Sequence, residues 1–185
     1  MTLANDIRNA SPAEMVDVLF ATLSWFKDRG LGNPFNYNRA FEYIQSGVLG
    51  YEVTTVGGGS DGINADGDTA EFKGTEYKGT TKKGTEKAHS FTYNGTTRKD
   101  TIEEQRAYCR DKVMRDRFHY WTIFDYENGR LVKTFKLTGA AVWSLIWPKW
   151  EHSFHNPGAD PRIGGSISTT LLESSGVPYE VIDHS

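Results

Sequence analysis

The sequence predicts an α/β (α+β) fold with helices flanking a central mixed β-sheet. Three observations carry this. A capped helical stretch begins near Ser11, extended runs fall in two groups at 51–77 and 119–137, and a second helical stretch from about residue 101 separates them. Hydrophobic residues make up 37% of the 185 residues, enough for one compact domain to bury a core without staples.

Ser11-Pro12-Ala13-Glu14 has a capping serine, a proline suited to the first turn and a glutamate placed to complete a capping box. The helical spacing that follows stops at Gly30. LGNPFNYN is a loop, and a second helix is expected over Arg39 to Gln45. Tyr51 to Val56 reads as a strand broken by Gly57-Gly58-Gly59-Ser60, and Asp66-Gly67 as a hairpin turn leading into a strand from Thr69 to Tyr77. A polar stretch from Lys78 to Lys99 holds one short strand, His89 to Tyr93, before the turn Asn94-Gly95. A helix is expected over 101–117, with acids in its first turn and bases in its last. The strands HYWTIFDY and RLVKTFKL flank Asn128-Gly129. Thr138-Gly139 caps a helix, AAVWSLIW, limited by Pro148. The tail from Asn156 is expected to be irregular, with extended pieces ISTTLL and YEVI.

Cys109 is the single cysteine, so no internal disulfide is possible and a reducing cytoplasm is expected. MTLANDIRNA lacks a basic patch followed by an apolar run, and no stretch has the length of a membrane span, so neither a signal peptide nor a membrane partner is expected. The net charge of −3 argues against a pure nucleic-acid binder, but residues 74–99 carry six basic against two acidic residues. A basic segment beside an acidic site suits an enzyme that grips a polyanion and uses a metal on it.

The candidate site is Asp61 with Glu71-Phe72-Lys73. Residues i and i+2 of a strand share a face, so Glu71 and Lys73 point together and Phe72 points away. Two carboxylates can hold Mg²⁺ through oxygen while leaving positions open for water and phosphate, and an adjacent lysine can orient or deprotonate the water. A two-residue loop at Asp66-Gly67 would turn Asp61 to the wrong face. An odd-length loop, pairing Asp61 with Lys73, puts all three on one face, and that loop is expected. Glu76-Tyr77-Lys78 repeats the pattern at an odd offset and so on the opposite face; Asp66 and Asp68 are fallback acids beside the turn. On spacing alone, a solvated charged hairpin remains an alternative.

GSDGINADGDTAEFK resembles the active-site hairpin of the PvuII-like type II restriction endonucleases, a branch of the PD-(D/E)xK nuclease superfamily. The likeness continues over about residues 20–180, through helix 101–117, the strands HYWTIFDY and RLVKTFKL, and WPKWEHSF followed by NPGADPRI. It implies a restriction-endonuclease-like core over 51–185 and an N-terminal helical dimerisation segment over 1–50. Asp61, Glu71 and the Phe72 carbonyl would hold Mg²⁺ (two ions being possible, with Mn²⁺ substituting and Ca²⁺ binding without supporting cleavage), and Lys73 would position the water. It further implies a cytoplasmic bacterial homodimer that cuts both strands of double-stranded DNA at a short palindromic site, leaving blunt ends with 5′-phosphates.

The DNA-reading residues depart from the family pattern, which has consecutive histidines after the active-site strand. This chain has one, in His89-Ser90-Phe91-Thr92-Tyr93, so His89, Ser90, Thr92 and Tyr93 are the candidate groove contacts. Asn36 and Asn38 stand near the place of a family aspartate and are candidates for the minor groove. Lys82, Lys83 and Lys87 are candidate phosphate contacts, and the target sequence does not carry over. Cys109 and the tryptophans Trp143, Trp147 and Trp150 are expected to pack. Rival readings are a repair or structure-specific nuclease on the same core, and a non-catalytic binding module.

Overall fold

The structure is a computed structural model, and it describes residues 3–35, 39–54, 59–158 and 162–184. Helix α1 (Leu3–Arg8), which the sequence reading did not anticipate, precedes α2 (Pro12–Asp28) and α3 (Arg39–Leu49). The capping box at Ser11 forms as expected: its hydroxyl accepts from Glu14 N–H, and the Glu14 carboxylate accepts from Ser11 N–H at 2.8 Å. Strands β1 (Tyr51–Val53), β2 (Gly62–Asn64), β3 (Thr69–Glu76) and β4 (Ser90–Thr97) follow, then α4 (Ile102–Met114), β5 (Phe118–Asp125), β6 (Arg130–Thr138) and α5 (Gly139–His155). The chain ends in β7 (Arg162–Ser168), α6 (Thr169–Ser174) and β8 (Glu180–Asp183).

Six strands form a mixed sheet in the order β1-β2-β3-β5-β6-β8, in which β3 and β5 are parallel and the other neighbours antiparallel. A parallel pair cannot be joined by a tight turn, so the chain leaves the sheet between them and builds β4 and α4. Strand β4 pairs with β7 in a separate two-stranded sheet. The main core lies between one face of the large sheet, α4, α5 and the small sheet, with Phe91, Trp121, Leu137, Ile146, Trp150 and Ile167 buried in it. Helix α4 contributes one stripe, Gln105, Cys109 and Val113, at successive i+4 positions. The opposite face carries a smaller cluster of Tyr51, Ala70, Phe72 and Tyr120.

Four expectations are corrected. Helix α5 runs through Pro148. The proline costs about 3 kcal/mol, but the helix buries Val142, Leu145 and Ile146 before it and Trp150 after it, each worth about 1.5–3 kcal/mol. Asn94-Gly95 is a bulge inside β4 rather than a turn, since the pairing with β7 shifts between Tyr93 and Thr96. The piece ISTTLL is split: Ile167 ends in β7, while Ser168 caps α6 by accepting from Leu171 N–H. The tail is therefore ordered into β7, α6 and β8, and β8 closes the large sheet. Cys109, Trp147 and Trp150 are buried, as expected of packing residues, and Trp143 stacks on Trp147. No helix among the described residues is long and apolar enough to cross a membrane.

Candidate active site

The β2–β3 hairpin positions the acids. Asn64 Oδ1 accepts from Asp66 N–H at 3.1 Å and Asp68 N–H at 2.8 Å, while Gly67 N–H donates to the Asn64 carbonyl at 3.0 Å. Gly67 sits at φ +82°, a conformation that favours glycine, and Asn64 N–H donates to the Asp68 carbonyl at 3.0 Å. The connection is therefore Ala65-Asp66-Gly67, an odd-length loop as expected. The register differs from the expected one by two residues. Gly62 pairs with Ala70 and Ile63 with Thr69, so Asp61 lies beside Ala70 to Phe72 and not opposite Lys73. The cause is Asn64, whose carboxamide starts the turn two residues before Asp66. Asp61 N–H donates to the Ala70 carbonyl at 2.9 Å, and Phe72 N–H donates to Asp61 Oδ2 at 2.7 Å. A strand residue's N–H and C=O point to the same edge, so the Phe72 carbonyl also faces the Asp61 side.

Glu71 and Lys73 project together toward the α4 side of the sheet, level with His119 and Trp121 of β5. Lys73 Nζ donates to Glu71 Oε1, and Arg115 donates to Glu71 Oε2 at 3.3 Å. Arg115 is itself held by the buried Asp116, at 2.9 Å. A cavity of about 90 Å³ opens beside Glu71 and Lys73, between Tyr93, Lys112, His119 and Trp150.

Burial and the neighbouring Glu71 carboxylate push the Asp61 carboxyl up to about 7, and Lys73 offsets only part of this. Burial also pushes Glu71 up, but hydrogen-bonded Lys73, aided by Arg115, holds it below the usual carboxylate range. Burial works against the Lys73 charge too; Glu71 and Asp61 outweigh it and keep its affinity for the proton above that of a free lysine. Glu42 of α3 adds to the negative field at Asp61 and Lys73, and is steered by Arg39, which contacts it at 2.8 Å. The site is thus a buried carboxylate pair whose burial and proximity disfavour full ionisation, flanked by a charged lysine.

Two carboxylates and the Phe72 carbonyl are hard oxygen donors of the kind Mg²⁺ takes, usually with waters and substrate phosphate completing its shell. The residues present fit that ion, although the described residues contain no group of three or more His, Cys, Asp or Glu side chains able to hold a metal. Glu71 would have to give up Lys73 or Arg115 to serve as a ligand.

The candidate DNA readers separate. Asn36 and Asn38 lie outside the described residues. Lys82, Lys83 and Lys87 are exposed on a small hairpin, closed by Gly84 N–H donating to the Thr81 carbonyl at 2.9 Å. Ser90 and Thr92 face solvent, with Thr92 Oγ1 2.8 Å from Ser166 Oγ. His89 and Tyr93 do not: strand alternation turns residues 89, 91 and 93 into the core. The buried His89 ring accepts from Lys78 N–H at 3.1 Å and stacks on Tyr77, so it is a structural histidine and not a groove contact. Tyr93 Oη is 2.7 Å from Trp121 Nε1 and 3.0 Å from His119 Nδ1 and has no path to a base edge. Glu76 of the second Glu-x-Lys copy is exposed and lies on the opposite face from Glu71.

Sequence reasoning missed Glu42, Arg115 and His119. Only the β3–β5 pairing and the packing of α3 bring them to the hairpin, and no local spacing announces that. No protein-family model matches the chain, and no curated protein matches it.

Proposed function

We propose that this protein is a Mg²⁺-dependent endonuclease that hydrolyses both strands of double-stranded DNA at a short palindromic site, as type II restriction enzymes do. The observation that supports this most is the convergence of Asp61, Glu71 and Lys73 at one end of the β2–β3 hairpin, with the Asp61 carboxyl raised by burial and then by Glu71. Bound Mg²⁺ would supply a polarised water and neutralise charge on the phosphoryl oxygens. Asp61, Glu71 and the Phe72 carbonyl would hold it, Glu71 once released by Lys73 or Arg115. The Lys73 ammonium orients the attacking water and stabilises the charge that develops at phosphorus. The water's hydroxyl joins phosphorus in line with the 3′-oxygen, the P–O3′ bond breaks, and the proton the water sheds to solvent is balanced by one taken up at O3′, leaving a 3′-hydroxyl and a 5′-phosphate, with a blunt cut. Lys82, Lys83 and Lys87 hold the DNA backbone.

Two copies are needed to cut two strands. Helix α2 offers a surface for this, with Val16, Leu19, Phe20 and Trp25 exposed and Phe26 its one buried residue among those described. The test is incubation of the purified protein with unmethylated phage DNA, with and without Mg²⁺, beside Lys73→Ala. Discrete Mg²⁺-dependent fragments that the variant does not make are expected. Intact DNA under every condition overturns the proposal, and a smear replaces it with a non-specific or repair-type nuclease.

A further inference from the structure

The hydrogen-bond directions around Tyr93 are fully determined. Trp121 Nε1 can only donate, so Tyr93 Oη accepts from it at 2.7 Å. The phenol proton then goes to His119 Nδ1 at 3.0 Å, and His119 Nε2–H donates to the Val113 carbonyl at 2.9 Å, near the end of α4. Every member is buried: Tyr93 and His119 are 5% and 1% exposed and Trp121 is fully covered. Burial pushes the phenol well above its usual range and the imidazole below its own, so both stay neutral. The relay bolts β4, β5 and α4 together and leaves the Tyr93 ring one orientation. The face of that ring looks toward the site, with Lys73 Nζ 5.5 Å from its centroid.

We propose that Tyr93 is a positioning residue for Lys73: its ring, locked by Trp121 and His119, is a neutral floor that holds the ammonium. A cation over an aromatic face is attracted to it, more so where water is excluded. The floor has a use that a carboxylate could not serve. Glu71 is asked both to hold Lys73 and to ligate Mg²⁺, and an added acid would compete for the ion. An aromatic face holds the lysine without binding a hard cation. Released from Glu71, Lys73 remains over the ring and keeps its aim.

This inference rests on the endonuclease reading for its kinetic consequence but not for its geometry, so the test has two arms. In the wild-type protein, the Lys73 ε-methylene resonances, assigned by their loss in Lys73→Arg, are expected upfield of those of exposed lysines through the ring current. They are expected to stay upfield in Tyr93→Phe and to move to the exposed-lysine position in Tyr93→Leu. An unshifted Lys73 in the wild type overturns the proposal, whether or not Tyr93→Leu folds. In the kinetic arm, Tyr93→Leu is expected to lower kcat about tenfold with KM little changed, and Tyr93→Phe to restore most of that loss although it too breaks the relay. A packing role alone would lower thermal stability in both variants without separating their kcat values, and that result overturns the proposal. Shifted Lys73 resonances in a protein that cuts no DNA would retain the floor and discard the nuclease.

Discussion

Asp61→Asn separates charge from shape at the site. Asparagine keeps an oxygen able to accept from Phe72 N–H, the 2.7 Å bond that joins Asp61 to β3, and removes the charge. In the wild-type fold the carboxyl titrates near 7 instead of its ordinary 3.8, because of burial and then Glu71. The sign follows from the raised value. The stability contributed by this group is fully present below pH 3.8, where both folded and unfolded chains carry the proton, and is lost as pH rises toward 7. At about 1.4 kcal/mol for each tenfold change in proton affinity, the full loss is about 4 kcal/mol. Water entering beside the site screens the repulsion, so the variant should gain about 1–4 kcal/mol at pH 8 and almost nothing at pH 4. Urea unfolding of both proteins at the two pH values, in chelator, measures this. A gain that is equal at both, or a loss at pH 8, would refute the argument that Asp61 is strained by its charge. Mg²⁺ added at pH 8 should stabilise the wild type more than the variant, since only the wild type presents both carboxylates.

Four further outcomes are expected. Glu76→Ala should cut DNA normally and change stability by less than about 0.5 kcal/mol, because Glu76 is exposed on the opposite face; a dead variant would move the site to the second copy. Replacing Lys82, Lys83 and Lys87 together by alanine should weaken DNA binding and flatten the plot of log affinity against log salt by about 2–3 in slope, read by fluorescence anisotropy. Gly139→Ala should destabilise by about 2–3 kcal/mol in thermal or urea unfolding, because its Cβ would stand 2.9 Å from the Val113 carbonyl and 3.2 Å from that of Asp116, both backbone. If two copies pair through α2 as proposed, the wild type should sediment as a dimer and Phe20→Glu as a monomer; a monomeric wild type, or a variant of unchanged mass, would overturn pairing through α2.

The elements readable from sequence were those with local signatures. The capping box at Ser11, the Asn128-Gly129 turn and the alternation that separates Glu71 and Lys73 from Phe72 all declare themselves within a few residues. The parity of the hairpin loop followed from requiring one face for three charges. Its register did not, because the Asn64 side chain moves the turn one residue earlier, which shifts the pairing by two. Pro148 misled because the burial that overrides it is tertiary. His89 and Tyr93 misled for another reason: a strand with polar-capable residues on both faces does not say which face is inward. The answer came from the small β4–β7 sheet, whose partner strand lies more than 60 residues away.

The hairpin has a consequence for how the molecule assembles. Asp61, Glu71 and Lys73 lie within one short segment closed by a three-residue loop, while Arg115 and His119 must arrive through the parallel pairing of β3 with β5, which joins Ala70 to Phe118. Local contacts form quickly and distant parallel pairings late. The acids therefore meet while still solvated, with Lys73 already between them, and the docking of β5 and α4 brings Arg115 to Glu71 as it buries the pair. High salt, which screens the repulsion between the acids while the hairpin is still exposed to solvent, should then leave hairpin formation faster.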